Sequence, residues 1–293
     1  ATAAAIATAA AATTAATACA CPLCWRVESP CGPLCNLAGL VGLARSSSEP
    51  THATCSTMPD VTYFPNVELN FAENMLRHGA PGSPLADEEA LVSISEGRAE
   101  ARWSHAELRA DASRVRAALE AVGVTSSDAC GAYLPNVGET VVAMLGATST
   151  GATWTSCSPD FGARAVADRF GQVAPKVLFT CDGFVSAGKS TSLVDKVEEL
   201  VEALPSLQRV VVLPMDLDGP PPAWQSERLK GLLVSWDDFL AEGSEDDGAA
   251  PPSSFAKVPF THPQFVLYSS GTTGMPKSIA HGAGNVLLQH AKE

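Results

Sequence analysis

Long apolar runs and basic residues are scarce in this chain. No stretch of about 18 or more strongly apolar residues occurs, so no membrane-spanning helix is predicted. Lysine and arginine together number 19 against 32 aspartates and glutamates, which gives a formal net charge of -13. A surface this acidic argues against nucleic acid or an anionic membrane as the main partner, because both bind through basic stripes. The apolar content of 46% is high enough to exclude a chain that is disordered throughout.

Residues 1–58 differ in composition from the rest of the chain. The first 18 residues are twelve alanines, five threonines and Ile6, which offer nothing large to pack and indicate a disordered tail or a marginal helix. We predict that residues 1–58 as a whole form a disordered tail. Cysteines at 21, 24, 31 and 35 allow two interpretations, a zinc knuckle or a cysteine-rich stretch without a metal. We favour the second and predict no firm zinc site, because the pairs lie close together and lack hydrophobic cover.

The start of the sequence does not resemble a targeting segment. It has no basic region before an apolar centre, and only two arginines precede residue 58, so neither a signal peptide nor a transit peptide is predicted. Cys130, Cys157 and Cys181 occur singly in apolar stretches, which is typical of small buried residues in a reducing compartment. We therefore expect a cytoplasmic protein.

From Leu91 onward, β-rich runs alternate with helical patterns, as in a parallel sheet covered by helices. The clearest helix has Ser104 and Glu107 as a capping box and Gly123 as its end. The other predicted elements are strands at 129–134, 152–157, 176–181 and 209–213, and helices at 139–149, 163–173 and 193–204. We predict an α/β fold in which residues 59–293 form one unit after the tail.

A loop rich in hydroxyls and glycines follows the β-rich run 264–268. Its candidate phosphate-binding residues are Ser269, Ser270, Gly271, Thr272, Thr273, Gly274 and Lys277. A triphosphate needs backbone amides at close approach, hydroxyl donors and one cation, and this segment supplies all three. It is not a Walker A loop, because Met275 and Pro276 separate the glycine from the lysine. A flexible connection is the alternative, but the order strand, loop and Pro-Lys favours phosphate binding.

Residues 268–277 resemble the phosphate-binding signature of the adenylate-forming superfamily, which includes acyl-CoA synthetases. Further segments are similar to the acetoacetyl-CoA synthetase branch of that superfamily: 63–76, 132–136, 154–162, 169–172, 175–179 and 281–284. The resemblance implies the large N-terminal domain of such an enzyme. It also implies an acid:CoA ligase that uses ATP, Mg²⁺ and CoA to form an acyl-adenylate and then an acyl-CoA. The reaction that the resemblance favours is the conversion of acetoacetate to acetoacetyl-CoA.

The resemblance assigns roles to individual residues. The segment from Ser269 to Lys277 would hold the β- and γ-phosphates of ATP. Phe161 and Gly162 match a region that contacts CoA in related enzymes, and Lys189 could add charge on the CoA side. His281 belongs to a family-like His-Gly pair and is a candidate for ligand contact. The expected partners are small molecules, namely ATP, a short-chain acid and CoA.

Chains of this family are considerably longer, so we expect residues 59–293 to be a partial AMP-binding domain that stops after the phosphate loop. We expect no catalytic side chain in it, because the family's catalytic lysine lies in a later domain. Two alternatives remain open: another short-chain acyl-CoA synthetase, or a catalytically inactive nucleotide-binding fragment. We also expect Asp160 to cap the helix that begins near Gly162 and His262 to hydrogen-bond within its loop.

Overall fold

The computed structural model describes residues 64–215, 223–245, 249–269 and 274–292. The predicted tail, 1–58, and four residues of the predicted phosphate loop, 270–273, lie outside the described residues. In the described part, the chain is an α/β structure built on one large sheet. No helix in the described ranges is both long and apolar enough to cross a bilayer.

The large sheet has seven strands. The strands of the described chain are β1 Glu68–Leu69, β2 Glu89–Ser93, β3 Ala101–Ser104, β4 Ala129–Tyr133, β5 Thr153–Cys157, β6 Val177–Cys181, β7 Gly183–Ser186, β8 Lys189–Ser192, β9 Arg209–Leu213, β10 Leu233–Ser235, β11 Val258–Pro259, β12 Pro263–Ser269 and β13 Lys277–Gly282. The order in the large sheet is β10-β9-β6-β4-β5-β12-β13; the first six of these strands run parallel, and β13 pairs antiparallel with β12.

Helices connect most of the parallel strands. They are α1 Phe71–Met75, α2 His105–Ala121, α3 Gly138–Ser149, α4 Ala163–Phe170, α5 Val194–Ala203, α6 Glu227–Leu232, α7 Trp236–Glu242 and α8 Ala283–Lys292. Helix α2 packs against α3 and α7, and α4 packs against α5. All residues of the central strands β4 and β6 are buried, as expected for a parallel sheet covered on both faces.

The predicted capping box of α2 is confirmed. Ser104 Oγ accepts a hydrogen bond from the Glu107 amide at 3.2 Å, and the Glu107 carboxylate accepts one from the Ser104 amide at 2.8 Å. The helix ends just before Gly123, whose φ of 79° lies in the left-handed region that glycine adopts without strain. The local signals therefore fixed both ends of this helix.

Helix α4 ends earlier than predicted. It stops at Phe170 rather than Val173, and Ala174 has a φ of 53°. Pro175 follows, and the residue before a proline is disfavoured in helical conformation. The expected cap by Asp160 is wrong: Gly162 is the N-cap and no side chain caps the helix, while the Asp160 carboxylate accepts from Ser158 Oγ at 2.9 Å.

Candidate functional site

The predicted phosphate motif, residues 268–277, begins at the carboxyl end of β12. Strand β12 lies next to β5, with Phe265 opposite Trp154 and Val266 opposite Thr155. Ligands of open parallel sheets bind outside the carboxyl ends of the strands. Tyr268 and Ser269 therefore lie at the carboxyl ends of the parallel strands, where such a ligand is expected.

The two ends of the motif meet across a strand pair. Ser269, the last residue of β12, pairs with Lys277, the first residue of β13. Ser270, Gly271, Thr272 and Thr273 lie outside the described residues. Gly274 has a φ of 101°, and a Cβ placed on it would meet no atom within 4 Å. Backbone conformation, and not crowding, therefore favours glycine at 274.

Strand geometry places the residues of the motif on two faces of the sheet. Residues directly opposite one another in an antiparallel pair point to the same face, and successive residues alternate. Lys277 therefore shares a face with Ser269, whereas Ser278 and Tyr268 share the other face. Lys277 is exposed, so its ammonium is accessible to an anion.

Tyr268 is held from the sheet side and from helix α4. Its hydroxyl lies 2.9 Å from Thr155 Oγ1, which is itself 2.9 Å from Val266 O. Burial raises the pKa of Tyr268 to about 12, against a smaller lowering by the Thr155 hydrogen bond, so the phenol stays neutral at pH 7. The Arg169 guanidinium lies 5.9 Å from the Tyr268 ring centre, which is within range of a cation–π interaction.

Phe161 and Gly162 lie beside this arrangement, between β5 and α4. The Tyr133 hydroxyl donates to Phe161 O at 2.5 Å and to Pro159 O at 3.1 Å, which fixes the backbone of the segment. The Phe161 ring remains 41% exposed and packs on Arg169 at 4.7 Å. A Cβ on Gly162 would meet nothing within 4 Å. Arg169 thus joins the candidate CoA-side residue Phe161 to Tyr268.

Lys189 and His281 lie apart from the motif. Lys189 is the exposed first residue of β8, in the β7–β8 hairpin, and among the described residues no hydrogen bond or ion pair joins it to the phosphate motif. His281 lies on β13, opposite Phe265 of β12. It is four residues beyond Lys277 and therefore roughly 13 Å from that lysine along the strand. Contact of Lys189 or His281 with a ligand stays a prediction. The positions of both residues, away from the phosphate motif, do not support it.

One further interpretation from the sequence, the role of His262, is confirmed. His262 Nε2 lies 2.8 Å from Gly151 O, in the hydrogen bond expected of a loop histidine. Trp154 is only 4% exposed and packs against Phe179, so it belongs to the core. Within the described ranges, no group of three or more histidine, cysteine, aspartate or glutamate side chains could hold a metal.

Sequence reasoning did not identify Arg169 and Gln172 as site residues. The segment that contains them was noted for its similarity alone. The available signal was their spacing of three residues near the end of a helix, which places two side chains on neighbouring positions of one face. Gln172 Nε2 donates to Pro276 O at 3.1 Å, and Ser278 Oγ donates to Gln172 Oε1 at 2.7 Å.

Comparison with known proteins places this chain in a family. Residues 77–292 match the family described as AMP-binding enzyme. Acetoacetyl-CoA synthetase of Rattus norvegicus is 42% identical over 232 residues, which make up 79% of this chain and 33% of that protein. Malonamoyl-CoA synthetase vrtB of Penicillium aethiopicum is 34% identical over 250 residues, 85% of this chain and 34% of that protein.

A solved structure is also similar. Acetoacetyl-CoA synthetase from Streptomyces lividans matches with a TM-score of 0.75 at 38% identity, and the match covers 87% of this chain and 37% of that one. The chain spans about a third of the length of the curated relatives it matches. Because the family match extends over well over half of the chain and includes the strand pair that ends the phosphate motif, the chain belongs to the AMP-binding enzyme family.

Proposed function

We propose that this chain contributes the phosphate-binding part of an ATP-dependent acid:CoA ligase that makes acetoacetyl-CoA from acetoacetate. The observation that carries the proposal is the pairing of Ser269 with Lys277. It brings both ends of a hydroxyl- and glycine-rich loop to the carboxyl edge of a parallel sheet, with an exposed lysine beside them. The similarity to two acetoacetyl-CoA synthetases supports the choice of reaction.

In this reaction a carboxylate oxygen of the acid attacks the α-phosphorus of ATP. A new oxygen–phosphorus bond forms, the bond to the β-phosphate oxygen breaks, and pyrophosphate leaves. The CoA thiolate then attacks the acyl carbonyl and AMP leaves. The carboxylate is a weak nucleophile, so rate enhancement depends on in-line positioning and on neutralising charge. Loop amides, loop hydroxyls and Lys277 would bind the departing β- and γ-phosphates, with Mg²⁺ entering as part of the MgATP substrate.

The relatives narrow the class of acid. The acyl groups in their names, acetoacetyl and malonamoyl, both have a second carbonyl β to the thioester carbon. We infer that the acid is a short β-carbonyl acid, with acetoacetate first and malonamate as the alternative. A simple short-chain acid such as butyrate is the remaining candidate.

The CoA side of the site is assigned to Phe161 and Gly162. Support comes from the exposed Phe161 ring, the open space at Gly162 and the fixed backbone between them. Lys189 and His281 stay predictions on motif position alone. The boundary at residues 58 and 59 and the cytoplasmic location also stay predictions; the free, buried Cys130, Cys157 and Cys181 are compatible with the latter.

The test uses native protein captured from its source with an antibody against residues 64–292. Its mass is recorded, and AMP release from MgATP is measured with CoA and acetoacetate, malonamate, butyrate or acetate. We expect AMP release with acetoacetate to exceed that with acetate or butyrate by about tenfold or more, since a site built for a β-carbonyl loses a hydrogen bond with acids that lack one. Preference for butyrate would overturn the assignment of the acid.

The phosphate role is tested separately on the 293-residue chain. Binding of MgATP and of magnesium pyrophosphate is compared between the wild type and Lys277→Ala, which should bind both about tenfold more weakly because a charge-assisted contact is lost. Equal binding would contradict the role of Lys277. Binding by the chain together with no AMP release by the native protein with any acid would leave a nucleotide-binding function and remove the ligase.

A further inference from the structure

The side-chain amide of Gln172 is fully engaged, although the residue is exposed. Nε2 donates to Asp168 O at 2.8 Å and to Pro276 O at 3.1 Å, while Oε1 accepts from Ser278 Oγ at 2.7 Å. Two donors and one acceptor of a single amide are therefore satisfied at once. Two of these three bonds reach across more than a hundred residues of sequence, to the start of β13.

The two distant partners of Gln172 flank Lys277 in sequence. Pro276 precedes the lysine and Ser278 follows it, and Gln172 bonds both. Since neighbouring strand residues point to opposite faces, Ser278 faces helix α4 while Lys277 faces away from it. Gln172 thus binds the backbone carbonyl of Pro276 on one side of the lysine and the side chain of Ser278 on the other. Neither hydrogen bond involves the lysine ammonium.

Gln172 is mounted on a rigid turn. Its amide donates to Arg169 O at 3.1 Å, and the next two amides both donate to Phe170 O, at 3.0 Å and 2.7 Å. Phe170 is fully buried, so the turn is anchored in the core. Arg169, one helical turn before Gln172, packs on Tyr268 at the other end of the motif. The end of α4 therefore contacts the strands on both sides of the phosphate loop.

We propose that Gln172 is a positioning residue, which fixes the start of β13 so that Lys277 is held ready for the phosphates. The inference rests on the proposed phosphate role of Lys277. Backbone that is already fixed around Lys277 need not be ordered when the anion arrives, so binding loses less conformational entropy. Gln172 itself touches neither phosphate nor acid and acts through the backbone around the lysine.

The test is a double-mutant cycle on the 293-residue chain, with magnesium pyrophosphate as the probe at fixed ionic strength. Gln172→Met keeps the length of the side chain and removes its hydrogen bonds; we expect pyrophosphate binding to weaken by about threefold to tenfold. Lys277→Ala should weaken it by about tenfold or more. In the double variant, we expect no further loss beyond about twofold relative to Lys277→Ala, because Gln172 acts through the lysine.

The outcomes are distinguishable. Additive losses in the double variant would mean that Gln172 supports the fold in general, which would overturn the inference, as would unchanged binding by Gln172→Met. Unchanged binding by Lys277→Ala would remove the proposed phosphate role of Lys277 and the inference together, whereas the ligase itself is tested by AMP release. Gln225, whose side-chain amide donates to Ala223 O at 2.9 Å, gives a matched control: Gln225→Met should bind pyrophosphate as the wild type does.

A second pair of variants keeps the inference testable if Gln172→Met does not fold. Ser278→Ala removes the hydroxyl that donates to Gln172, whereas Ser278→Thr keeps it in a residue that suits a strand. We expect weaker pyrophosphate binding, by about twofold to fivefold, in the alanine variant alone. Equal effects of the two substitutions would overturn the role of the Ser278–Gln172 bond.

Discussion

Gly146 sets how closely helices α2 and α3 approach. A Cβ at this position would lie 2.3 Å from Val115 Cγ1 and 3.1 Å from Ala112 O. Real Cβ atoms essentially never approach another heavy atom as closely as the first distance and rarely as closely as the second. Val115 is fully buried, so neither helix can shift without disturbing the core. Glycine in a helix interior costs about 1 kcal/mol relative to alanine, and here close packing offsets that cost.

We therefore expect Gly146→Ala to lower the free energy of unfolding by about 1–3 kcal/mol, because the added methyl overpacks a buried contact. Gly231, in α6, is the matched control, since a Cβ there would meet nothing within 4 Å. Gly231→Ala should raise stability by up to about 1 kcal/mol. Urea unfolding followed by circular dichroism measures both. A stabilised Gly146→Ala variant would show that the helices can separate freely.

The three described cysteines are chemically unreactive because they are buried. Burial raises the pKa of Cys157 to about 11 and the pKa of Cys130 and of Cys181 to about 12. The thiols are therefore protonated at pH 7, and the nucleophilic thiolate is scarcely populated. Their isolated positions in apolar runs predicted this burial correctly.

At the scale of elements, local signals predicted some boundaries and missed others. Strand β9 and the N-terminus of α2 match their predicted limits because a β-branched run and a capping box are encoded in consecutive residues. The β7–β8 hairpin and helices α6 and α7 were not predicted. Their short apolar runs form a stripe or a pleat only once the neighbouring elements are in place.

The capping box of α2 gives a prediction with a pH dependence. Hydrogen bonds from the Ser104 amide, and to a smaller extent its side chain, lower the pKa of Glu107 below its usual value. A carboxyl whose pKa is lower in the folded state adds stability above its unfolded pKa, and that stability is lost as pH falls through the folded value. Glu107 is exposed, so solvent screens much of this contribution.

Ser104→Ala should lower the free energy of unfolding at pH 7 by about 1 kcal/mol, through loss of the N-cap. It should reduce the fall in stability between about pH 6 and pH 3 only slightly, because alanine keeps the Ser104 amide, which is the main cause of the lowered pKa of Glu107. Glu107→Gln is the control: it keeps a capping-box partner and should retain most of the stability at pH 7 without the titration. Urea midpoints across this pH range decide the matter. An unchanged pH profile in both variants would exclude the linkage.

Across the whole molecule, the sequence was sufficient to propose a phosphate-binding segment, but it did not predict what holds that segment in place. The loop is encoded in ten consecutive residues, and its hydroxyls, glycines and lysine indicate their chemistry without knowledge of the fold. The partners of its flanking strands, Arg169 and Gln172, come from about a hundred residues earlier. Only the order of strands in the sheet brings them together, and the direction of β13 was equally inaccessible to local patterns.

In the described part of the chain, the order of the sheet also leaves β13 at one edge, with an apolar pair on an exposed face. Leu267 and Ile279 are directly opposite one another and are 51% and 46% exposed, and Met275 nearby is 57% exposed. An edge strand presents unpaired backbone groups, and adjacent apolar side chains make pairing with another chain more favourable. We therefore expect the 293-residue chain to self-associate through this edge.

Ile279→Lys should raise the concentration at which the chain self-associates by roughly tenfold, because a charged edge residue resists desolvation and the apolar pair is lost. Ile94 supplies the control, since it is 75% exposed yet lies outside the strands, so Ile94→Lys adds the same charge without altering the edge. Sedimentation velocity over a concentration series measures the effect. If both variants shift the series equally, net charge and not the edge of β13 governs self-association.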